Sequence, residues 1–180
     1  MPPDPASIGF APLAPEHYPA LQAWLAEPHI REWWGDPEEE FGLIRDMVEG
    51  RDSTRPFVIL LGREPVGYIQ YWFIGDHQNE EWINDHPWLA EFPPDTIGVD
   101  LSIGRPDLLG KGLGSAALKA FVAMLRQQGY ETIIIDPDPA NLRAVRAYQK
   151  AGFRPVPSLQ GRTGNDVLIM QHYPKANEFK

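Results

Sequence analysis

The sequence predicts one mixed α+β domain spanning residues 1–180, on three observations. Strand-like and helix-like segments follow each other in the order β-α-α-β-β-β-α-β-α-β-β, which matches neither a doubly wound parallel sheet nor an all-β sandwich. A length of 180 residues with 43% hydrophobic content is ordinary for a single compact core. A run of glycines, Leu109-Gly110-Lys111-Gly112-Leu113-Gly114-Ser115, leads without a break into a helical stretch.

The first third of the chain begins with a short predicted strand at residues 8–13. A helix is predicted at about 16–26, because Tyr18, Leu21, Trp24 and Leu25 form one apolar stripe at helical spacing. A second helix is predicted at about 38–49. Its first turn is rich in acidic residues, which suit the positive end of a helix dipole.

A β-hairpin is predicted next, because two β-rich runs at 57–61 and 66–73 flank the short turn Gly62-Arg63-Glu64-Pro65. Residues 75–94 then form a polar excursion punctuated by prolines and containing Trp82 and Trp88. Loops of this length in compact domains are typical of binding loops or lids.

The remaining elements alternate strand and helix. We predict strands at 96–103 and 132–135, helices at 116–127 and 141–151, and closing strands at 153–156 and 167–171. Gly152 is placed to end the second of these helices.

The glycine run predicts an anion site. Its three alternate glycines leave backbone N–H groups unobstructed by Cβ atoms, and the helix that begins inside the run directs its unpaired N–H groups the same way. A nucleotide P-loop is excluded, because Gly104 to Gly110 is one residue too long and Gly112 replaces the magnesium-binding hydroxyl. The relaxed dinucleotide pattern G-x-G-x-x-A does fit residues 112–117, so a dinucleotide-dependent reductase stays open at this point.

Composition narrows the class of protein. Cysteine is absent, which excludes disulfides, thiolate metal sites and a cysteine nucleophile. A net charge of -9 argues against nucleic acid as a partner and is compatible with a cationic one. No basic signal-peptide region and no apolar run of about 18 residues is present, so we expect no membrane partner and a cytoplasmic location.

The segment 141–153 carries the most specific pattern, N-x-x-A-x-x-x-Y-x-K-x-G-F. With the glycine run and the strands around it, this segment resembles the GNAT acetyltransferase superfamily. Within that superfamily the chain resembles the aminoglycoside 6′-N-acetyltransferases. The shared segments are His29-Ile30-Arg31-Glu32-Trp33-Trp34-Gly35, Glu64-Pro65-Val66-Gly67-Tyr68-Ile69-Gln70, the spacing from Asp100 to Gly110, and Asp136-Pro137-Asp138-Pro139-Ala140-Asn141.

The resemblance implies a GNAT acyltransferase fold, with a mixed sheet of about six to seven strands splayed between strands 4 and 5 and flanked by about four helices. It also implies direct acetyl transfer from acetyl-CoA to a primary amine, without a metal, the 6′-amine of an aminoglycoside antibiotic being the leading acceptor. A siderophore precursor or a polyamine is the alternative acceptor. A noncatalytic CoA-binding module is a remote alternative, and the protein is expected to be a monomer or a homodimer.

The resemblance further implies which residues contact the coenzyme. A pyrophosphate needs several convergent N–H donors, and a helix N-terminus supplies them. The implied coenzyme-binding residues are Leu101, Ile103, Gly110, Lys111, Gly112, Leu113, Gly114, Ser115, Asn141 and Ala144. Tight packing of helix against sheet is the alternative explanation for the glycines.

Two residues carry the implied chemistry. Strand alternation puts Asp100 on the polar face of 96–103, and it matches the position of the general base in the aminoglycoside enzymes. A carboxylate of ordinary pKa is a poor base for an alkylammonium, so burial must raise its pKa, or it acts through water, or it only orients the amine. Tyr148 matches the general acid, whereas its helical spacing with Leu142 and Val145 is equally typical of a core residue.

The implied acceptor site combines aromatic and acidic side chains, because indole faces suit sugar rings and carboxylates pair with protonated amines. Its members are Trp33, Trp34, Gln70, Asp100 and Asp136. One tryptophan of the pair is expected to be a core residue, and Asp136 has an alternative role as the cap of a turn before the helix at Asn141.

Overall fold

The computed structural model describes residues 4, 7–163 and 167–174, which contain seven strands and six α-helices. The strands are Ile8–Pro12 (β1), Arg55–Leu61 (β2), Glu64–Phe73 (β3), Ile97–Ile103 (β4), Ile133–Ile135 (β5), Phe153–Pro155 (β6) and Met170–His172 (β7). The helices are Tyr18–Leu25 (α1), Pro28–Trp34 (α2), Pro37–Val48 (α3), Glu80–Asp85 (α4), Leu113–Gln127 (α5) and Leu142–Lys150 (α6). The strands form one mixed sheet in the order β1-β2-β3-β4-β5-β7-β6, which confirms the predicted fold class.

The chain divides into two compact units. One consists of Met1–Trp72 and Asp100–Phe121, and the other of Phe73–Val99 and Val122–Lys180. Whether residues 1–180 act as a single domain stays a prediction.

In the first unit, β1 and β3 both pair with β2 in antiparallel fashion, and Gly62 and Arg63 form the tight turn between β2 and β3. The predicted hairpin is therefore confirmed, with a register shift between Ile59 and Leu60. Helices α1 to α3 supply most of the core. The buried cluster consists of Leu13, Leu21, Trp24, Leu25, Ile30, Ile44, Val58 and Tyr68.

Helix α2 has no counterpart among the predicted elements. It begins with Pro28 at its first position, where the missing N–H costs nothing, and Gly35 at φ 99° follows its end. Seven residues are too few for a helical period to stand out in sequence. The neighbouring helix α3 is close to its predicted bounds, and Asp36 caps it by accepting from the N–H groups of Glu38 and Glu39.

Strands β3 and β4 approach each other closely at Gly67. A Cβ atom there would lie 2.5 Å from the carbonyl oxygen of Ser102, nearer than any ordinary contact. Only glycine therefore fits at this position.

In the second unit, β5 pairs in parallel with the start of β4. Ile97 lies opposite Ile133, and Gly98 lies opposite Ile134. Strand β7 then pairs antiparallel with both β5 and β6. A parallel contact this short agrees with the splayed pair that the GNAT resemblance implies.

The segment 75–94, predicted to be irregular, contains α4 and short 3₁₀ turns. Trp88, Leu89 and Phe92 are buried, whereas Trp82 is 44% exposed. The prediction of an irregular polar excursion is wrong here, because its apolar residues bury themselves within the second unit. In the described part of the chain, no helix is long and apolar enough to cross a membrane.

Candidate functional site

The glycine run adopts a conformation that only glycine takes readily. Gly110 and Gly112 have φ values of 72° and 83°, in the left-handed region. Helix α5 begins at Leu113, three residues before its predicted start, so Gly114 and Ser115 lie in its first turn. A Cβ on Gly114 would meet only Ile103 Cγ1 at 3.8 Å, an ordinary contact. Tight packing therefore does not explain this glycine.

The N–H groups of residues 110–115 have no acceptor among the residues that the structure describes. The first N–H to find a partner is that of Ala116, which donates to the carbonyl of Gly112 at 3.1 Å. The Ser115 hydroxyl donates to the same carbonyl at 3.0 Å. Consecutive free N–H groups at the positive end of a long helix form a site for a phosphate or pyrophosphate.

A chain of polar side chains joins β3 to β4. The Tyr68 hydroxyl donates to Gln70 Oε1 at 2.5 Å, and Gln70 Nε2 donates to Asp100 Oδ2 at 2.9 Å. Because strand residues alternate between faces, Tyr68, Gln70 and Trp72 all lie on one face of β3. Gln70 and Asp100, two residues predicted for the acceptor site, are thus in direct contact.

Burial raises the pKa of the Asp100 carboxyl above its ordinary value, whereas hydrogen bonds from the side chains of Gln70 and Trp72 act in the opposite direction. A raised pKa brings a carboxylate closer to the range in which it can take a proton from an amine. This is the environment that the base hypothesis for Asp100 requires.

Glu40 is a member of this cluster that sequence reasoning missed. Its half-buried carboxyl has a raised pKa, first because of burial and then because of the nearby charges of Asp100 and Glu39. Glu40 precedes the buried Ile44 by one helical turn on α3, so it lies on the inward stripe of an otherwise acidic first turn. That position on the apolar stripe is the signal that could have identified it.

The two tryptophans differ in their packing. The ring of Trp34 meets that of Tyr68 edge to face, with centroids 5.7 Å apart, and packs against the buried cluster of the first unit. Trp33 is half-buried and lies outside that cluster. Of the two tryptophans, Trp34 is therefore the one that packs on the core. It lies next to Tyr68, which donates a hydrogen bond to Gln70.

Leu101 and Ile103, predicted to contact the coenzyme, have buried side chains. Only their backbone groups are candidates for such a contact. The carbonyl of Ile103 already accepts a hydrogen bond from His29 Nε2 at 2.8 Å, and the N–H of Gly104 donates to the carbonyl of Val66.

Helix α6 lies in the second unit and carries three more of the predicted residues. Asn141 caps it, because its side chain accepts from the N–H of Ala144 at 3.1 Å. Leu142 is 59% exposed, and no residue of α6 is fully buried. The spacing of Leu142, Val145 and Tyr148 therefore does not mark a fully buried core stripe. Tyr148 itself is half-buried.

Asp136 directly follows β5 in the second unit and is half-buried. The turn before α6 is held by Asp138, which accepts from the N–H of Ala140 at 2.8 Å, and the helix cap is Asn141. Asn141 and Asp138 thus hold the start of this helix and the turn before it, and the role of Asp136 stays a prediction. Across the described residues, no group of three or more His, Asp or Glu side chains is placed to hold a metal ion.

Residues 14–160 match the family described as the acetyltransferase (GNAT) domain. The chain belongs to the GNAT acetyltransferase family. It is 34% identical over 159 residues to the aminoglycoside N(6′)-acetyltransferase type 1 of Klebsiella pneumoniae, with 84% of this chain and 76% of that protein covered.

Solved structures of a GNAT enzyme, AAC(6′)-Ib, share the fold at 29% identity. The complex with paromomycin and acetyl-CoA superposes with a TM-score of 0.75, covering 92% of this chain and 93% of that one. The complex with coenzyme A and kanamycin also gives 0.75, covering 92% and 94%. The predicted family and fold are confirmed.

Proposed function

We propose that this GNAT protein transfers an acetyl group from acetyl-CoA to the 6′-amine of an aminoglycoside antibiotic. The observation that carries the proposal is the half-buried Asp100 carboxylate, held by Gln70 and accompanied by Glu40. Two carboxylates whose pKa values are raised by burial suit a substrate that brings several protonated amines. The relative in Klebsiella pneumoniae and the structures with bound aminoglycosides support this choice of acceptor.

The donor site that we propose is the glycine run. Its N–H groups at Gly110, Lys111, Gly112, Leu113, Gly114 and Ser115 would receive the pyrophosphate of the coenzyme, because they converge at a helix N-terminus and lack other acceptors. Backbone groups of Leu101 and Ile103 on β4, and Asn141 with Ala144 on α6, complete the proposed set. Acetyl-CoA is a cosubstrate here, and the reaction needs no metal.

Asp100 acts on the acceptor in this proposal. As the amine nitrogen forms its bond to the thioester carbonyl carbon, the nitrogen must lose a proton. Asp100 takes that proton directly or through one water molecule, and it orients the amine beforehand. Its raised pKa makes the transfer less unfavourable than for an exposed aspartate.

Tyr148 acts on the leaving group. When the carbon–sulfur bond breaks, the sulfur takes up negative charge, and a phenol has a proton to give at neutral pH. Its position on α6, half-buried rather than enclosed in a core, supports this role. The 6′-amine reacts in its neutral form, after its ammonium proton has gone to solvent, so the remaining steps balance: the nitrogen gives one proton to Asp100 and the sulfur takes one from Tyr148.

The acceptor site that we propose consists of Trp33, Trp34, Gln70, Asp100 and Asp136, with Glu40 added by the structure. The Trp33 ring would lie against a sugar face, Trp34 would border the site from its place against the core, and the acidic groups would pair with ammonium groups. The cytoplasmic location and the monomeric or homodimeric state of the protein stay predictions.

A pair of antibiotics tests the proposal directly. Neomycin carries an amine at the 6′ position where paromomycin carries a hydroxyl. We expect thiol release from acetyl-CoA with neomycin and kanamycin and a much slower release with paromomycin, with the product acetylated at the 6′ nitrogen by NMR. Equal rates with neomycin and paromomycin would disprove the 6′ assignment. Turnover with spermidine but with no aminoglycoside would favour the alternative acceptor class.

Binding of the donor is measured separately. Acetyl-CoA should raise the melting temperature and NADH should not, because a ligand stabilises only the state that binds it. Stabilisation by acetyl-CoA without turnover on any amine would support a noncatalytic coenzyme-binding module instead.

A further inference from the structure

Tyr68 stands behind the acceptor site, and no role in the reaction has been assigned to it. Its side chain is 1% exposed, so it cannot contact substrate directly. Its hydroxyl nevertheless forms the first bond of the chain that runs through Gln70 to Asp100. The hydroxyl also lies 3.7 Å from the thioether sulfur of Met47, a much weaker acceptor than the Gln70 oxygen.

The donor-to-acceptor direction of these hydrogen bonds follows from the negative charge of Asp100. An ionised Asp100 can only accept, so the Gln70 amide must present its NH₂ group to it. The amide oxygen then faces the buried Tyr68 hydroxyl, where an unpaired half-buried acceptor would be unfavourable. The Tyr68 hydroxyl supplies that donor.

Tyr68 keeps its proton under all conditions in which the enzyme would work. Burial raises the pKa of its hydroxyl well above the ordinary value, and the surrounding charges of Asp100, Glu40 and Asp52 raise it further. The hydroxyl is thus a fixed donor.

We propose that Tyr68 is a positioning residue, which holds the Gln70 amide in the one orientation that donates to Asp100. The proposal rests on the proposed role of Asp100 in acetyl transfer. It deepens that role, because the orientation and ionisation of the carboxylate then depend on a side chain that never contacts the substrate. Without the Tyr68 hydroxyl, the amide is free to rotate away from Asp100.

The principal variant is Tyr68→Phe, and the matched control is Tyr18→Phe. The Tyr18 hydroxyl is also buried, but it has no hydrogen-bond partner among the described residues. We expect Tyr68→Phe to lower kcat/KM for kanamycin by roughly tenfold, because the Gln70 amide would lose the orientation in which it donates to the charged Asp100. Tyr18→Phe should leave it unchanged.

A double-mutant cycle separates positioning from general packing. If Tyr68 acts through Gln70, then Tyr68→Phe should have no further effect in a Gln70→Leu background, because the group that it positions is gone. The same roughly tenfold loss in both backgrounds would overturn the proposal, since it would show an effect independent of Gln70.

A readout without substrate distinguishes failure of this proposal from failure of the proposed function. The carboxyl carbon of Asp100 can be titrated by NMR in the free protein. Tyr68→Phe should shift its pKa upward, because the Gln70 hydrogen bond that lowers it is weakened. An unshifted Asp100 pKa would overturn the positioning role. A wild-type protein that acetylates no aminoglycoside would instead overturn the proposed function.

A second substitution covers the case in which Tyr68→Phe does not fold. 3-Fluorotyrosine placed at position 68 keeps the ring and the hydroxyl but makes the hydroxyl a stronger donor. The Asp100 pKa should then move downward, opposite to the Phe variant. No change, or a change in the same direction as the Phe variant, would contradict the proposal.

Discussion

The glycine run and the polar chain from Tyr68 to Asp100 lie in the same unit but are built on different principles. In the run, the groups that we propose to bind the coenzyme are backbone N–H groups, and three of its residues have no side chain. In the polar chain, the functional groups are side chains brought together from β3, β4 and α3. The proposed donor site therefore depends on residues adjacent in sequence, whereas the proposed acceptor site depends on the tertiary fold.

If the two regions have these separate roles, substitutions in them should affect different kinetic constants. The largest effect is expected for Asp100→Asn, which removes the proton acceptor while keeping the shape of the side chain. We expect kcat for kanamycin to fall by about 10²–10⁴-fold, the usual contribution of a general base, with the KM for acetyl-CoA unchanged. Steady-state kinetics measure both. A kcat within threefold of the wild type would leave Asp100 as an anchor or a structural residue.

Tyr148→Phe extends the test to the leaving group. We expect kcat to fall by about 10²-fold, because the departing sulfur loses its proton donor, with little change in the affinity for acetyl-CoA. An unchanged turnover number would refute the general-acid role. The affinity is measured by calorimetry with acetyl-CoA.

The backbone region is tested by Gly112→Ala, with Gly62→Ala as the matched control. Both glycines have positive φ, 83° and 65°, and neither Cβ would meet another atom within 4 Å. Alanine costs roughly 1–2 kcal/mol in this conformation, so both variants should melt at a similarly lowered temperature. Only Gly112→Ala should weaken acetyl-CoA binding, by about tenfold, with kcat at saturation nearly unchanged. Equal affinities of the two variants for acetyl-CoA would show that the glycine run does not bind the coenzyme.

Glu40→Gln tests the residue that the structure added, and Glu39→Gln is its exposed neighbour on α3. We expect the KM for kanamycin to rise about fivefold in Glu40→Gln, since a single partly buried ion pair contributes ~1 kcal/mol. Glu39→Gln should change it by less than twofold. Identical effects of the two variants would assign the result to net charge alone.

The smallest effect concerns stability. Burial raises the pKa of Asp100 in the folded protein above its unfolded value. The contribution of protonated Asp100 to the free energy of unfolding is fully present below the pKa of the unfolded state. It is lost as the pH rises through the pKa of the folded state. Asp100→Asn should therefore melt a few degrees above the wild type at about pH 8 and match it near pH 4. A variant that is less stable at every pH would show that the carboxylate supports the fold.

The same difference between the two regions determined what could be predicted from the sequence. The glycine run, the hairpin and the segment from Asn141 to Phe153 are visible in sequence, because each depends on residues a few positions apart. Gln70 and Asp100 were predicted from the family resemblance, yet their hydrogen bond depends on how β3 lies beside β4 at Gly67. Nothing in the local sequence encodes that contact.

Glu40 and Tyr68 escaped prediction for a related reason. The sequence around each residue indicates another role. Glu40 belongs to the acidic start of a helix, and Tyr68 belongs to a largely apolar strand. Helix α2 was missed because seven residues give no measurable period, and α4 because its polar residues and flanking prolines are typical of a loop. Period-two reading of β3 would have placed Tyr68, Gln70 and Trp72 on one face.

The close approach at Gly67 has a consequence for how this enzyme can diverge. A one-residue insertion next to Arg63 leaves the strands as they are, because Arg63 is exposed and lies outside the paired positions of β2 and β3. The same insertion between Gly67 and Ile69 would reverse the faces of the rest of β3 and put Ile69 where Gln70 now meets Asp100. We therefore expect natural relatives and laboratory variants to change length in the hairpin turn and never within this stretch of strand.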